Sequence, residues 1–151
     1  MAGRYGAFGN NTLAAAADTA LTVASNAAIV SRNYIYEYIV GDEGTPADNV
    51  VLYTVQRCTA LGTNTLVTAS KLDEADKVAG ALCGENHTAE PTYTAAEELA
   101  EFALNTRATF RWVAAPGGEL VTEAVAASGV GWATLHASAT TNYGVQAYWM
   151  E

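Results

Sequence analysis

At 151 residues, the chain is long enough for one domain that buries a sizeable core without disulfide or metal staples. Half of its residues are apolar, and its formal net charge of −9 comes from 16 acidic residues against 7 basic ones. This balance argues against nucleic acid and anionic membranes as partners, because both need clustered lysine and arginine. The apolar stretches are too interrupted to cross a bilayer.

The N-terminal segment MAGRYGAFGNNTLAAAAD combines three glycines with the aromatic side chains of Tyr5 and Phe8. A glycine-rich backbone with spaced aromatic residues and almost no alternation is typical of a terminus that lies outside the core. We therefore predict an extended, flexible N-terminal arm over residues 1–18 and a β-sandwich domain over residues 19–151.

From Ala20 onward, short alternating or β-branched runs are separated by segments rich in glycine, proline and asparagine, which predicts strands joined by turns. The predicted strands are 20–24, 32–40, 50–59, 65–69, 98–104, 108–113, 129–137 and 143–150, with a short one near 119–122. Only KLDEADKVAGALC at 71–83 and TAAEELAEF at 94–102 could instead pass for helices. The fold class is therefore mainly β, an antiparallel β-sandwich or barrel-like domain of about eight strands.

The predicted strand RNYIYEYIV at 32–40 places Tyr34, Tyr36 and Tyr38 on one side if its alternation is unbroken. Tyrosines in such a row suit either a core whose rim their hydroxyls reach or a protein interface, and both interpretations stay open. Other predicted strands, including the one that carries Trp149, are also apolar on both faces. Part of the outer surface is therefore expected to be covered by a neighbouring subunit or a larger assembly.

No residue pattern indicates catalysis, a cofactor or a metal. His87 follows Cys83 and Glu85 in the segment CGENHT, but a metal or nucleophile site needs further ligands or an orienting base. The other histidine, His136, lies in a distant predicted strand. Adjacent carboxylates along the chain point apart, unlike the facing pair of a glycosidase, and GDEGTPADN departs from the EF-hand spacing. We predict that the protein is not an enzyme and binds no cofactor.

Two cysteines, Cys58 in a predicted strand and Cys83 in a predicted loop, do not make a disulfide framework. Buried or idle thiols are the default expectation. A bridge between them would need Cα atoms within about 7 Å, so the sequence leaves their pairing open.

The segments RNYIYEYIVGDEGTPADNVVLYTVQRCTALGT, GENHTAEPTYT and LNTRATFRWVAAPGGELV resemble small structural proteins encoded among the head genes of tailed bacteriophages. The resemblance covers about residues 30–122. It implies a capsid decoration, or cement, protein that is made in the host cytoplasm, binds the outer capsid surface and clamps neighbouring major capsid subunits. The implied partners are the major capsid protein and further copies of the chain in a homodimer or homotrimer, without nucleic acid or membrane.

Under this interpretation, aromatic side chains form the subunit or capsid contacts, because they supply large contact area at low entropic cost. The expected contact residues are Tyr5, Phe8, Tyr34, Tyr36, Tyr38 and Trp149.

An alternative function is a tail- or fibre-associated carbohydrate-binding module, in which Trp112, Trp132 or Trp149 would stack on sugar rings. The two hypotheses differ in where they place the tryptophans. A cement protein buries them in its core or in a subunit interface, whereas a carbohydrate-binding module exposes them on a platform ringed by polar side chains.

Overall fold

The computed structural model describes residues 2–13, 17–136 and 142–151, and it consists of two antiparallel β-sheets packed as a sandwich. The mainly β fold class is confirmed, and the described residues form twelve strands rather than about eight. The strands are β1 (Arg4–Thr12), β2 (Thr19–Ala24), β3 (Tyr34–Glu43), β4 (Val50–Ala60), β5 (Thr63–Val67), β6 (Ser70–Lys71), β7 (Leu82–Ala89), β8 (Thr92–Asn105), β9 (Thr109–Val113), β10 (Leu120–Val121), β11 (Gly129–His136) and β12 (Asn142–Met150). In the described ranges we find no helix with the length and apolarity that a membrane crossing requires.

The two sheets differ in strand order. Sheet A has the order β10–β3–β12–β1–β6, and β9 pairs with β3 as well. Sheet B has the order β5–β7–β2–β11–β4–β8. Most neighbours in space are therefore distant in sequence, which is why the turns alone did not reveal the topology.

The core lies between the sheets and is built from alternate residues of their central strands. In β12, Val145 and Trp149 are fully buried, whereas Gln146 and Tyr148 between them are half-buried and face outward. In β4, Val51 and Val55 are fully buried in the same core. This inward and outward alternation is the pattern that two packed antiparallel sheets require.

Residues 4–12, which we predicted to lie in a flexible arm, instead form β1 in the interior of sheet A. This strand pairs with β12 from Arg4 opposite Met150 to Thr12 opposite Asn142, and with β6 on its other side. Gly9 weakened the strand pattern in the sequence, but packing requires a glycine there. A Cβ at this position would lie 2.5 Å from the main-chain oxygen of Ala20. Glycine thus lets β1 approach sheet B closely. Met1, residues 14–16 and the end of the predicted strand at Ala137 lie outside the described residues.

The two segments that could pass for helices are not helical. Residues 94–102 lie inside β8, and residues 71–83 connect the end of β6 to the start of β7 through turns and bends. In that connection the ammonium group of Lys71 donates to the main-chain oxygens of Glu74 and Asp76, at 2.7 and 3.0 Å. Pairing between strands and local turns thus override the helical propensity of these alanine- and glutamate-rich stretches.

Candidate functional site

A β-bulge in β3 breaks the row of three tyrosines that the sequence suggested. The pairing register between β3 and β12 skips Tyr36, so the alternation changes phase at this residue. As a result, Tyr38 points into the core, while Tyr34 and Tyr36 lie on the outer side of the sheet. The prediction of one side for all three tyrosines was therefore wrong.

Three of the expected contact residues are core residues. Tyr5, Tyr38 and Trp149 are each at most 1% exposed. The rings of Tyr5 and Trp149 pack 6.0 Å apart between centroids, and the ring of Tyr38 stacks 5.1 Å from that of Trp112. Burial also raises the pKa of Tyr38 to about 12. These three side chains have no surface to offer a partner, so a contact role does not fit them.

The remaining expected contact residues, Phe8, Tyr34 and Tyr36, lie on the outer side of sheet A. Tyr148, which the sequence analysis did not single out, joins them there, with its ring stacked 6.5 Å from that of Tyr36. We call this surface the aromatic face and define it as the outward side chains of β1, β3, β9 and β12. Phe8 is 41% exposed and Tyr34 is 37% exposed, so aromatic area reaches solvent.

Two glycines hold aromatic rings of this face against the backbone. A Cβ at Gly6 would lie 2.9 Å from the ring of Tyr148, and a Cβ at Gly144 would lie 2.7 Å from the ring of Phe8. Each ring therefore occupies the space above a neighbouring strand that a side chain would otherwise fill. Rings packed in this way are ordered before a partner arrives, which reduces the entropic cost of binding.

The formal charges on the aromatic face balance. Its charged side chains are Arg4, Glu37, Glu43 and Arg111. Arg111 Nε lies 2.6 Å from Glu37 Oε1, so two of these charges already form an ion pair. This neutrality contrasts with the chain as a whole, whose net charge is −9.

A shallow depression of about 380 Å³ lies beside the aromatic face, where sheet A approaches the segment after β5. Phe8 and Tyr148 line it on the side of the face, and Val67 and Leu72 line it on the other side. The depression extends the apolar surface toward the β6 edge of the sheet.

His87 belongs to a buried polar cluster at the start of β2. Its Nδ1 lies 3.1 Å from the main-chain oxygen of Thr19, and its Nε2 lies 3.4 Å from the hydroxyl of Thr22. Burial lowers the pKa of His87, which favours the neutral ring. Within the described residues, no group of three or more His, Cys, Asp or Glu side chains could hold a metal ion. The geometry indicates a structural role for His87.

Glu90 and Tyr93 extend this cluster across the outer side of sheet B. The Glu90 carboxylate accepts hydrogen bonds from the backbone N–H, at 3.2 Å, and from the hydroxyl of Thr19. The Tyr93 hydroxyl lies 2.7 Å from the same threonine hydroxyl, and a Cβ at Gly131 would lie 2.5 Å from that tyrosine oxygen. These side chains tie the β7–β8 connection to β2.

Cys58 and Cys83 are free, buried thiols. Cys58 pairs with Gly129 of β11, and Cys83 pairs with Val23 of β2, so the two cysteines stand on strands separated by three strand spacings. At about 4.8 Å per spacing this separation is roughly 14 Å, twice the reach of a disulfide. Burial raises the pKa of each thiol to about 12.

The tryptophans do not form an exposed platform. Trp132 and Trp149 are at most 1% exposed, and Trp112 is half-buried against Tyr38. Trp132 and Trp149 lie in the core, and Trp112 lies on β9 beside Tyr38.

The fold and the site together define an acidic, antiparallel β-sandwich with one neutral, aromatic outer face. Comparison of the chain with protein-family models, with curated proteins and with solved structures finds no match.

Proposed function

We propose that the protein is a structural protein of a tailed-bacteriophage virion, which binds the outer capsid surface and clamps neighbouring major capsid subunits. The resemblance of residues 30–122 to small phage head proteins supplies this setting. The structural observation that supports a binding role is the aromatic face, because exposed, pre-ordered aromatic side chains are typical of protein interfaces. The partners would be the major capsid protein and further copies of the chain.

A concavity at one end of the sandwich is lined by several charged and polar groups, most of them held by bonds within the chain. It measures about 400 Å³ and is lined by Arg57, Glu97 and Thr122 among others. Arg57 Nη1 donates to the main-chain oxygen of Val121 at 2.7 Å, and its Nε lies 3.8 Å from Glu97. The Thr122 hydroxyl accepts hydrogen bonds from the backbone and side-chain amides of Asn33. These contacts of Arg57 and Thr122 help to hold this end of the sandwich together.

The positions of the tryptophans favour the cement protein over the carbohydrate-binding module. A sugar platform needs exposed indole rings, whereas Trp132 and Trp149 are buried. A net charge of −9 also suits the outside of a capsid, away from the packaged DNA.

Cosedimentation with capsids of the same phage, purified without this protein, tests the proposal. We expect binding that saturates at a fixed number of copies per capsid, because the lattice offers a defined set of sites. An unrelated acidic protein of similar mass serves as the control for trapping in the pellet. Absence of saturable binding at micromolar concentrations would contradict the proposal, and binding to purified host glycans instead would favour the alternative module.

A further inference from the structure

The aromatic face has the area that a stable subunit contact needs. Its three long strands, β1, β3 and β12, are together about 14 Å wide and about 30 Å long, and the shorter β9 brings the area to on the order of 500 Å² at the usual strand spacing and rise. Two such faces in contact would bury on the order of 1,000 Å² in total, which is about the lower limit for a specific interface. The exposed apolar side chains of the aromatic face are Phe8, Tyr34 and Val113. A partner of similar size, with a flat outer sheet, would cover this surface.

The net charge of the chain limits which of its surfaces can contact a second copy. Two copies with a net charge of −9 each repel one another, so they can approach only where the local charge is small. On the aromatic face, Arg4 and Arg111 balance Glu37 and Glu43. Two such faces in contact carry no net charge and can pair arginine with glutamate across the interface.

The β8 edge of sheet B is protected against pairing with another copy. Among the described residues, β8 pairs only with β4, and its register shifts three times between Val55 and Ala60 of that partner. It also carries Glu97, Glu98 and Glu101. Irregular strands and repeated charges are the features by which sheet edges resist edge-to-edge association. Pairing of two copies along β8 would bring like charges together.

We infer that a second copy of this chain occupies the aromatic face, so that two sheets A pack face to face about a two-fold axis. This inference rests on the proposed function, because it names the partner of the surface that supports it. In an isologous contact each residue pair occurs twice, once in each direction. The arginines of one aromatic face can therefore meet the glutamates of the same face in the partner. The sheets would lie about 10 Å apart, as in other aligned sheet packings. The acidic β8 edges then stay on the outside of the dimer.

Light-scattering mass measurements over a range of concentrations test this inference. We expect twice the chain mass of 15.7 kDa, because the charge-balanced aromatic faces can meet without net repulsion. Tyr34→Glu and Phe8→Glu should each weaken the dimer about tenfold or more, because each adds an unpaired carboxylate to the contact. Substitution at Tyr34 disturbs the fold less, because Tyr34 lies at the start of β3, whereas the ring of Phe8 packs over Gly144.

Val50→Glu and Val125→Glu are the matched controls, because they make the same charge change at exposed positions outside the aromatic face. We expect both to keep the dimer within about twofold of the original affinity, and near-ultraviolet circular dichroism checks that every variant is folded. A mass of one chain or of three chains at all concentrations would overturn the inference. So would control variants that dissociate the dimer as strongly as Tyr34→Glu.

The capsid assay separates this inference from the proposed function. Saturable capsid binding by a protein that is monomeric in solution would overturn the face-to-face dimer and leave the capsid role standing. A dimer that is broken by Tyr34→Glu, yet ignores capsids in its original form, would support the dimer and overturn the capsid role.

Discussion

The phenyl ring of Phe8 occupies the space that a side chain at Gly144 would need, with ring atoms 2.7 Å from an added Cβ. Gly144→Ala should therefore displace this partly exposed ring and lower the free energy of unfolding by about 0.5–1.5 kcal/mol, the usual cost of forcing a side chain off its rotamer. Urea denaturation followed by tryptophan fluorescence measures this change.

A double-mutant cycle isolates the clash between these two residues. Phe8→Ala removes the ring, so Gly144→Ala should cost less in that background than in the original chain. Equal costs in the two backgrounds would show that the ring does not fill the space above Gly144.

Removal of β1 tests whether the N-terminal residues are an integral strand of sheet A or a flexible arm. Deletion of residues 2–12 takes a strand out of the interior of sheet A and uncovers the core beside Trp149, so cooperative unfolding should be lost. A disposable arm would instead leave the unfolding transition unchanged. Differential scanning calorimetry and near-ultraviolet circular dichroism measure the outcome, with Phe8→Ala in the full chain as a control for loss of the outer side chain alone.

The two thiols should be unreactive in the folded protein. Both are buried and have a pKa raised to about 12, so the thiolate that attacks a disulfide reagent is scarce at neutral pH. Ellman's reagent should detect almost no thiol before denaturation and both thiols in guanidinium. Mass spectrometry after mild oxidation should find no bridge between Cys58 and Cys83; rapid native labelling of either one would contradict its burial.

Asp42 should make stability fall as the pH rises. Burial raises the pKa of this carboxyl above its ordinary value of 3.8, although the Tyr53 hydroxyl donates a 2.5 Å hydrogen bond to Oδ1. A carboxyl whose pKa is higher in the folded state contributes stability that is fully present below the unfolded pKa and is lost as the pH rises through the folded pKa. Asp42→Asn removes this contribution to the pH dependence.

The advantage in melting temperature of Asp42→Asn over the original chain should therefore grow from about pH 3 toward neutral pH. Glu43→Gln is the matched charge control, because it removes the carboxylate of the exposed residue that follows Asp42 in the chain. A temperature difference that stays constant over this range would contradict a raised pKa for Asp42.

Alternation and turn residues were enough to predict the fold class and most strands, because both are local properties of the chain. The predicted strands 20–24, 50–59 and 143–150 agree with β2, β4 and β12 within one or two residues. The pairing order was not predictable in the same way. The contact of β12 with β1 joins residues 130 or more positions apart, and no local pattern encodes such a contact.

Two errors have definite physical causes. β1 was missed because Gly6 and Gly9 lower the strand propensity of its sequence, yet both are needed where neighbouring groups come close. The one-sided tyrosine row failed because the bulge at Tyr36 shifts the alternation by one residue. The alternation of residue types in the sequence does not reveal where a bulge will form. The sequence alone therefore placed Tyr38 on the same side as Tyr34.

The candidate site was predictable in part. Phe8, Tyr34 and Tyr36 were expected contact residues and lie on the aromatic face, where their role in contacts stays a prediction. Tyr148 was missed as a member, although its alternation with the buried Trp149 was a signal that it faces outward. The balance of charge on the face depends on which strands are neighbours, and this could not be read before the sheet order was known.

The position of β12 between β1 and β3 also governs when the protein can fold during synthesis. Strands β1 and β3 are synthesised before β12 and do not pair with each other, so residues 142–150 are needed to join them in one sheet, although β3 can pair earlier with β9 and β10. Sheet B can pair β4 with β8 and β2 with β7 long before that point. The apolar residues of β1 therefore lack their β12 partner until residues 142–150 have been synthesised. Pairing over such a long sequence separation makes folding slow and leaves an apolar strand exposed to aggregation in the meantime.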